Sequence, residues 1–175
     1  AAGCVTQAGE QAGNIARTSA LYAGWSDTVA GITLNRFCSS GLDALDVAAL
    51  KIATGRAALV VAGGVEVMSR VPMLADRAAV FTDPALAADC RVLMMGNGAD
   101  LIASLHGVSR SEADAVALES QRRAAAARAK GWFRSIVPVT DSAGGRVAAE
   151  DECIRADTTA EKLARMEPAF AAAGA

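Results

Sequence analysis

The sequence predicts an α/β fold: a βαβ unit with a mostly parallel sheet and a buried helix, followed by a second region of α+β character. Three consecutive stretches carry this prediction. "TVAGITLNRF" is rich in β-branched residues and too short for a helix, so it reads as a strand ending near Phe37. "SSGLDALDVAALKIAT", Ser39 to Thr54, is apolar on nearly every side, with Asp43, Asp46 and Lys51 its only charges, and reads as a largely buried helix. "AALVVAGG", Ala57 to Gly64, is a continuous apolar run of strand length, the pattern of a strand covered on both faces of a parallel sheet.

The remaining elements follow in order. The opening "AAGCVTQ" reads as the end of a strand already in progress, and "MEPAFAAAGA" closes the chain with no finishing element, so a piece of something larger is expected. Gly13 to Gly24 has helical spacing, with Asn14 as N-cap and Gly24 as stop. After "EVMSRVPM" the texture becomes charge-spotted and less periodic, which sets a boundary near Ser69 between residues 1–69 and 70–175. The second region reads as a short helix near Ala99 to Leu105, then a longer one opened by the capping pattern "SRSE". Two strand-like pieces, "SIVPV" and "GRVAAE", and a last helix over Thr159 to Arg165 complete it. "GNGAD", from Gly96, lacks the third glycine of a dinucleotide fingerprint and follows no clear strand; it reads as a turn.

Composition narrows the function classes. The 175 residues are 53 % hydrophobic, 21 % charged and 4 % aromatic, a globular composition whose core is mostly alanine, valine and leucine. A net charge of -2 leaves no electrostatic footprint for nucleic acid, and no basic amphipathic stretch suggests a membrane surface. The longest apolar runs fall far short of the ~20 residues a membrane span needs, and no signal segment opens the chain, so a cytoplasmic location is expected. Cys4, Cys38, Cys90 and Cys153 form no CxxC pair and have no histidine at ligand spacing, which argues against a metal site; a disulfide framework is equally unexpected.

Cys38 is the candidate for chemistry. A cysteine between a strand end and a helix start lies where backbone N–H groups and the positive end of the helix dipole converge, and both favour a thiolate. Its own N–H is a donor for an oxyanion, and Gly41 would let the helix approach its neighbours closely. The same local context fits a small side chain packed in the core equally well. The one histidine, His106, lies at the end of a short helix, where an imidazole caps carbonyls; a Cys38–His106 hydrolase dyad has no second polar partner to support it. Arg122, Arg123, Arg128 and Lys130 read as a solvated face, and Cys4, Cys90 and Cys153 as structural.

Taken together, "GCVTQAGEQAGNIART", "NRFCSSGLDAL", "AGGVEVMSRVPM" and "DTTAEKLARMEPAF" resemble stretches of the thiolase family, in the family's order and at its spacing, across essentially the whole chain. The resemblance implies a partial thiolase fold, with the nucleophile domain in residues 1–69 and the loop domain that covers coenzyme A in residues 70–175. It implies that Cys38, with Asn35, Ser40 and Gly41 in the family's pattern, is the cysteine that becomes acylated. The thiolate would take the acyl group of a 3-oxoacyl-CoA, release acetyl-CoA and pass the group to a second coenzyme A, as in fatty acid β-oxidation, or run in reverse. Met94, Met95 and Gly96 fall on the pantetheine path, and Arg155 at the nucleotide end, where a guanidinium suits adenine or phosphate. Several relatives carry histidine at the position of Met94, which points to a longer or greasier acyl chain here.

Coenzyme A thioesters are substrates on this reading, no separate cofactor or metal is implied, and the family's habit suggests a homodimer or homotetramer. Family subunits are roughly twice as long, and the family's histidine in "GHP" and second cysteine in "CxGGG" are expected beyond Ala175. Losing one member of such a unit typically costs on the order of 10³-fold in rate, so these 175 residues alone are expected to be inactive. The alternative is a non-catalytic thiolase-like subunit that binds acyl-CoA or pairs with a catalytic partner.

Overall fold

The structure, a computed structural model, describes residues 1–170. The closing residues 171–175 lie outside them. The chain forms two compact units, the first over Ala1–Val92 and the second from Leu93 onward.

The first unit is built on a three-stranded parallel sheet of order β2-β1-β3. Strand β1 (Ala2–Gly3) is central and pairs with β2 (Thr33–Leu34) and β3 (Gly63–Gly64). Helix α1 (Ile15–Tyr22) connects β1 to β2, and α2 (Ser40–Ala53) connects β2 to β3. Two short helices, α3 (Ala79–Thr82) and α4 (Pro84–Asp89), complete the unit. The expected βαβ order is present, and the opening segment is a strand. The extended ladder is much shorter than "TVAGITLNRF" and "AALVVAGG" suggest, because only a few backbone groups of each run meet β1. Flanking bonds from Ala2 N–H to Ile32 O, Cys4 N–H to Leu34 O and Val65 N–H to Gly3 O continue the pairing in the same direction.

Helix α1 begins as expected at Asn14, whose side chain accepts from the Arg17 N–H. Asn14 takes a left-handed φ of 64°, which asparagine tolerates better than most side chains. Helix α2 departs from expectation. It buries one face only, through Ser40, Ala44 and Ala48, while Leu42, Leu45, Leu50 and Ile52 stay exposed. The sheet covers one side of a helix, so the small residues at i, i+4 and i+8 lie inside and the leucines do not. Likewise Leu59 and Val61, expected to be covered on both faces, are exposed.

The second unit holds α5 (Met95–His106), α6 (Arg110–Ala129), an antiparallel pair β4 (Val139–Thr140) and β5 (Arg146–Ala148), and α7 (Ala160–Ala164). Helix α6 opens with a full capping box: the Ser109 hydroxyl takes the Glu112 N–H and the Glu112 carboxylate takes the Ser109 N–H. "GNGAD" is not the expected turn but the first turns of α5. The ring of Phe170 lies where a Cβ on Gly96 would be, so that glycine serves close packing and not a change of chain direction. Among the described residues, no helix is long and apolar enough to cross a membrane.

Candidate functional site

Cys38 lies in the turn between β2 and α2, and its side chain is exposed among the described residues. Two side chains fold this turn. The Asn35 carboxamide accepts from Phe37 N–H at 2.8 Å through its oxygen and donates to Val5 O at 3.2 Å through its nitrogen. The Ser40 hydroxyl donates to Phe37 O at 2.6 Å and accepts from Arg36 N–H at 2.8 Å. An ion pair from Arg36 to Asp43 at 2.6 Å ties the turn to the first turn of α2. Between these anchors Phe37 adopts φ 50°, a left-handed conformation that a bulky side chain adopts only where its surroundings enforce it.

The turn leaves donors available. Ser39 is the N-cap of α2 but its side chain makes no capping hydrogen bond among the described residues. The Cys38 N–H has no acceptor among the described residues. A developing oxyanion near the sulfur would meet this N–H and the positive end of a helix of 14 residues.

The helix stands close to the sheet for a reason the sequence reading misplaced. A Cβ on Gly41 would meet nothing within 4 Å, so Gly41 is not the close contact. Gly3 is: a Cβ there would lie 2.5 Å from Ser40 C, 2.6 Å from Ser40 O and 2.7 Å from Gly41 N. The start of α2 rests directly on the backbone of the central strand.

Behind the turn lies a polar cluster that sequence reasoning missed. Gln11, only 2 % exposed, donates to Thr6 O at 2.8 Å and Glu66 Oε2 at 3.1 Å, and accepts from Val67 N–H at 2.6 Å. Glu66 Oε1 accepts from the N–H groups of Val5 and Thr6. Burial pushes the Glu66 carboxyl pKa up, but hydrogen bonds from Thr6, Gln11 and Val5 outweigh it and hold the carboxyl below its ordinary range. Cys4, 1 % exposed, lies against the same carboxylate; burial first and the Glu66 charge second push its thiol up. The sequence signal was slight: Gln11, at the end of a short helical turn over Gly9–Gln11, and Glu66, just after β3, stand 55 positions apart in the chain.

The other sequence candidates lie in the second unit. Met94 is the N-cap of α5 and Met95 its first residue, and both are exposed. Arg155 lines a cavity of about 340 Å³ together with Gln121, Lys162 and Leu163, whereas neither methionine lines it. Its N–H donates to Gln121 Oε1 at 2.7 Å and its guanidinium to Cys153 O at 3.2 Å. His106 is exposed at the end of α5, and the carbonyls it was expected to cap are taken by the Gly107 and Val108 amides. Cys38 and His106 belong to different units. Cys90 and Cys153 are exposed, so of the three cysteines read as structural only Cys4 is packed. Arg122 and Arg123 are solvated and share Glu119, whose carboxyl their hydrogen bonds hold at about 2.

Fold and turn together define an α/β protein that presents an exposed thiol at the start of a helix seated on a parallel sheet. Over residues 1–175 the chain matches the family described as Thiolase, N-terminal domain, and it belongs to that family. It is 43 % identical over 185 aligned residues to a beta-ketoadipyl-CoA thiolase of Pseudomonas knackmussii, covering 95 % of this chain and 46 % of that protein. It is 38 % identical to a 3-oxoadipyl-CoA/3-oxo-5,6-dehydrosuberyl-CoA thiolase of Escherichia coli K12, covering 98 % and 48 %. It is 39 % identical to a 3-ketoacyl-CoA thiolase of Colwellia psychrerythraea, covering 96 % and 44 %. The chain thus spans about half the length of the curated relatives it matches.

Proposed function

We propose that the whole protein is a thiolase-type acyl-CoA acyltransferase with Cys38 as its nucleophile. The observation that carries this reading is the position of Cys38: an exposed thiol at a helix start where, among the described residues, its N–H has no acceptor and no side chain caps the helix. The Cys38 thiolate adds to the keto carbon of a 3-oxoacyl-CoA. The bond from that carbon to the acetyl-CoA carbon breaks, acetyl-CoA leaves after taking up a proton, and the acyl group remains as a thioester on Sγ. A coenzyme A thiol then attacks the thioester, gives up its proton and frees the thiolate, in ordinary covalent catalysis. The names of the relatives point to 3-oxoadipyl-CoA as the first substrate to test beside acetoacetyl-CoA. Arg155, beside its cavity, supports a role at the charged end of coenzyme A. Met94 and Met95 offer apolar contacts to the pantetheine. Action in the cytoplasm as a homodimer or homotetramer belongs to the same proposal.

The test is acylation followed by peptide mass spectrometry. Incubation of the whole protein with acetyl-CoA is expected to leave an acetyl group on the Cys38 peptide, and Cys38→Ala to abolish both the adduct and turnover. Binding of acyl-CoA without any adduct would overturn the catalytic reading in favour of a non-catalytic thiolase-like subunit. An adduct on Cys90 or Cys153 in place of Cys38 would overturn the choice of nucleophile.

A further inference from the structure

We propose that Glu66 is a positioning residue for Cys38, acting through Val5 and Asn35; the proposal rests on the reading of Cys38 as the nucleophile. The path consists of three contacts. Glu66 Oε1 takes the Val5 N–H, and the Val5 carbonyl takes the Asn35 carboxamide N–H at 3.2 Å. The Asn35 oxygen takes the Phe37 N–H at 2.8 Å, one residue before Cys38. A single residue, Val5, is therefore gripped on its N–H side by Glu66 and on its carbonyl side by the side chain that shapes the nucleophile's turn.

Both ends of this path make it consequential. At the far end Gln11 holds Glu66 in place: its nitrogen donates to Glu66 Oε2 at 3.1 Å while its oxygen is occupied by the Val67 N–H. The carboxylate therefore faces Val5 and Thr6 in one fixed orientation. At the near end Phe37 stands at φ 50°, a conformation that costs free energy and persists only while its hydrogen bonds enforce it. Loosening Val5 loosens Asn35, and loosening Asn35 lets Phe37 relax toward negative φ, which swings the Cys38 N–H and Sγ away from the start of α2. Glu66 lies 28 positions beyond Cys38 in the chain and, among the described residues, makes its hydrogen bonds to Val5, Thr6, Gln11 and Cys4 and none to the Cys38 turn, so its effect runs through the peptide of Val5.

The experiment is alkylation of the whole protein by iodoacetamide, with the rate at each cysteine read by peptide mass spectrometry. Exposed Cys90 and Cys153 are internal references, and buried Cys4 reports that the first unit remains folded. Glu66→Ala is expected to slow Cys38 by about three-fold or more relative to the references, and Asn35→Ala by at least as much. Glu66→Gln, which keeps an acceptor oxygen for Val5 and Thr6, should restore Cys38 to within about two-fold of wild type. The double variant Glu66→Ala/Asn35→Ala should be no slower than Asn35→Ala alone, because both act on one path. An unchanged Cys38 rate in Glu66→Ala, or multiplicative slowing in the double variant, overturns the proposal. Should Glu66→Ala unmask Cys4, Glu66→Asp decides: it draws the carboxylate back from Val5 by one methylene. Slower Cys38 labelling with Cys4 still protected supports the path, and an unchanged rate refutes it. Failure of the nucleophile reading is seen separately, as the absence of an acetyl adduct on wild-type Cys38, and leaves these rate ratios unaffected.

Discussion

Gly3 and Gly41 lie at the same contact between strand and helix, and they respond oppositely to an added methyl group. Gly3→Ala places a Cβ within 2.7 Å of three backbone atoms at the start of α2, so the helix must move; a loss of about 1–3 kcal/mol is expected. Gly41→Ala meets nothing within 4 Å and removes a flexible residue from the helix, so a gain of up to about 1 kcal/mol is expected. Urea unfolding of the two variants measures both. The pH dependence belongs to the same scale. Glu66 titrates below its ordinary value of about 4.3 in the folded state, so its contribution is full above that pH and is lost as pH falls through the lower folded value. Cys4 titrates above its ordinary value of about 8.5, so its contribution is full below that pH and is lost as pH rises through the higher folded value. Glu66→Gln is therefore expected to flatten the acid limb of a stability–pH curve and Cys4→Ala the alkaline limb, as followed by urea midpoints. The placement of Cys38 between a strand and a helix start was legible in the sequence because its neighbours, a strand-forming run and a small-residue helix, are contiguous with it. Gln11 and Glu66 were not, because what defines them is a contact across 55 positions, and no local pattern encodes that.

Helix starts were the elements easiest to read, since capping is written within a few consecutive residues. Asn14 and Ser109 cap α1 and α6 as expected. Ser109→Ala removes one half of the capping box outright and frees the other, and is expected to cost about 1 kcal/mol of stability in the second unit, measurable by urea denaturation. In α5 the helix over Ala99 to Leu105 was read and its start was not: glycines at 96 and 98 suggested a turn, but the need to seat Phe170 against the helix overrides a weak propensity. Strand lengths were overread for a related reason. Apolar β-branched runs state that a segment can be extended, whereas pairing depends on the neighbouring strand, and β1 offers each neighbour only two residues of regular ladder.

Across the whole molecule, the chain has two compact units and about half the length of its curated relatives. Its one histidine is exposed, and among the described residues the side chains that hold the Cys38 turn are amide, hydroxyl and ion-paired groups, with no proton acceptor matched to a thiol. Residues 1–175 expressed alone are therefore expected to show thiolysis of acetoacetyl-CoA reduced by on the order of 10³-fold or more from that of an intact relative, measured by loss of the 3-oxoacyl chromophore. Fold class and family were readable because short motifs recur in fixed order along the entire chain. The seat of α2 on Gly3 has a mechanical consequence. Main-chain atoms meet main-chain atoms there, with no rotatable side chain between them to act as a spring. The height of the Cys38 sulfur above the sheet is then set by a stiff bearing, and its remaining freedom is torsional, confined to the one turn that Asn35 and Ser40 hold.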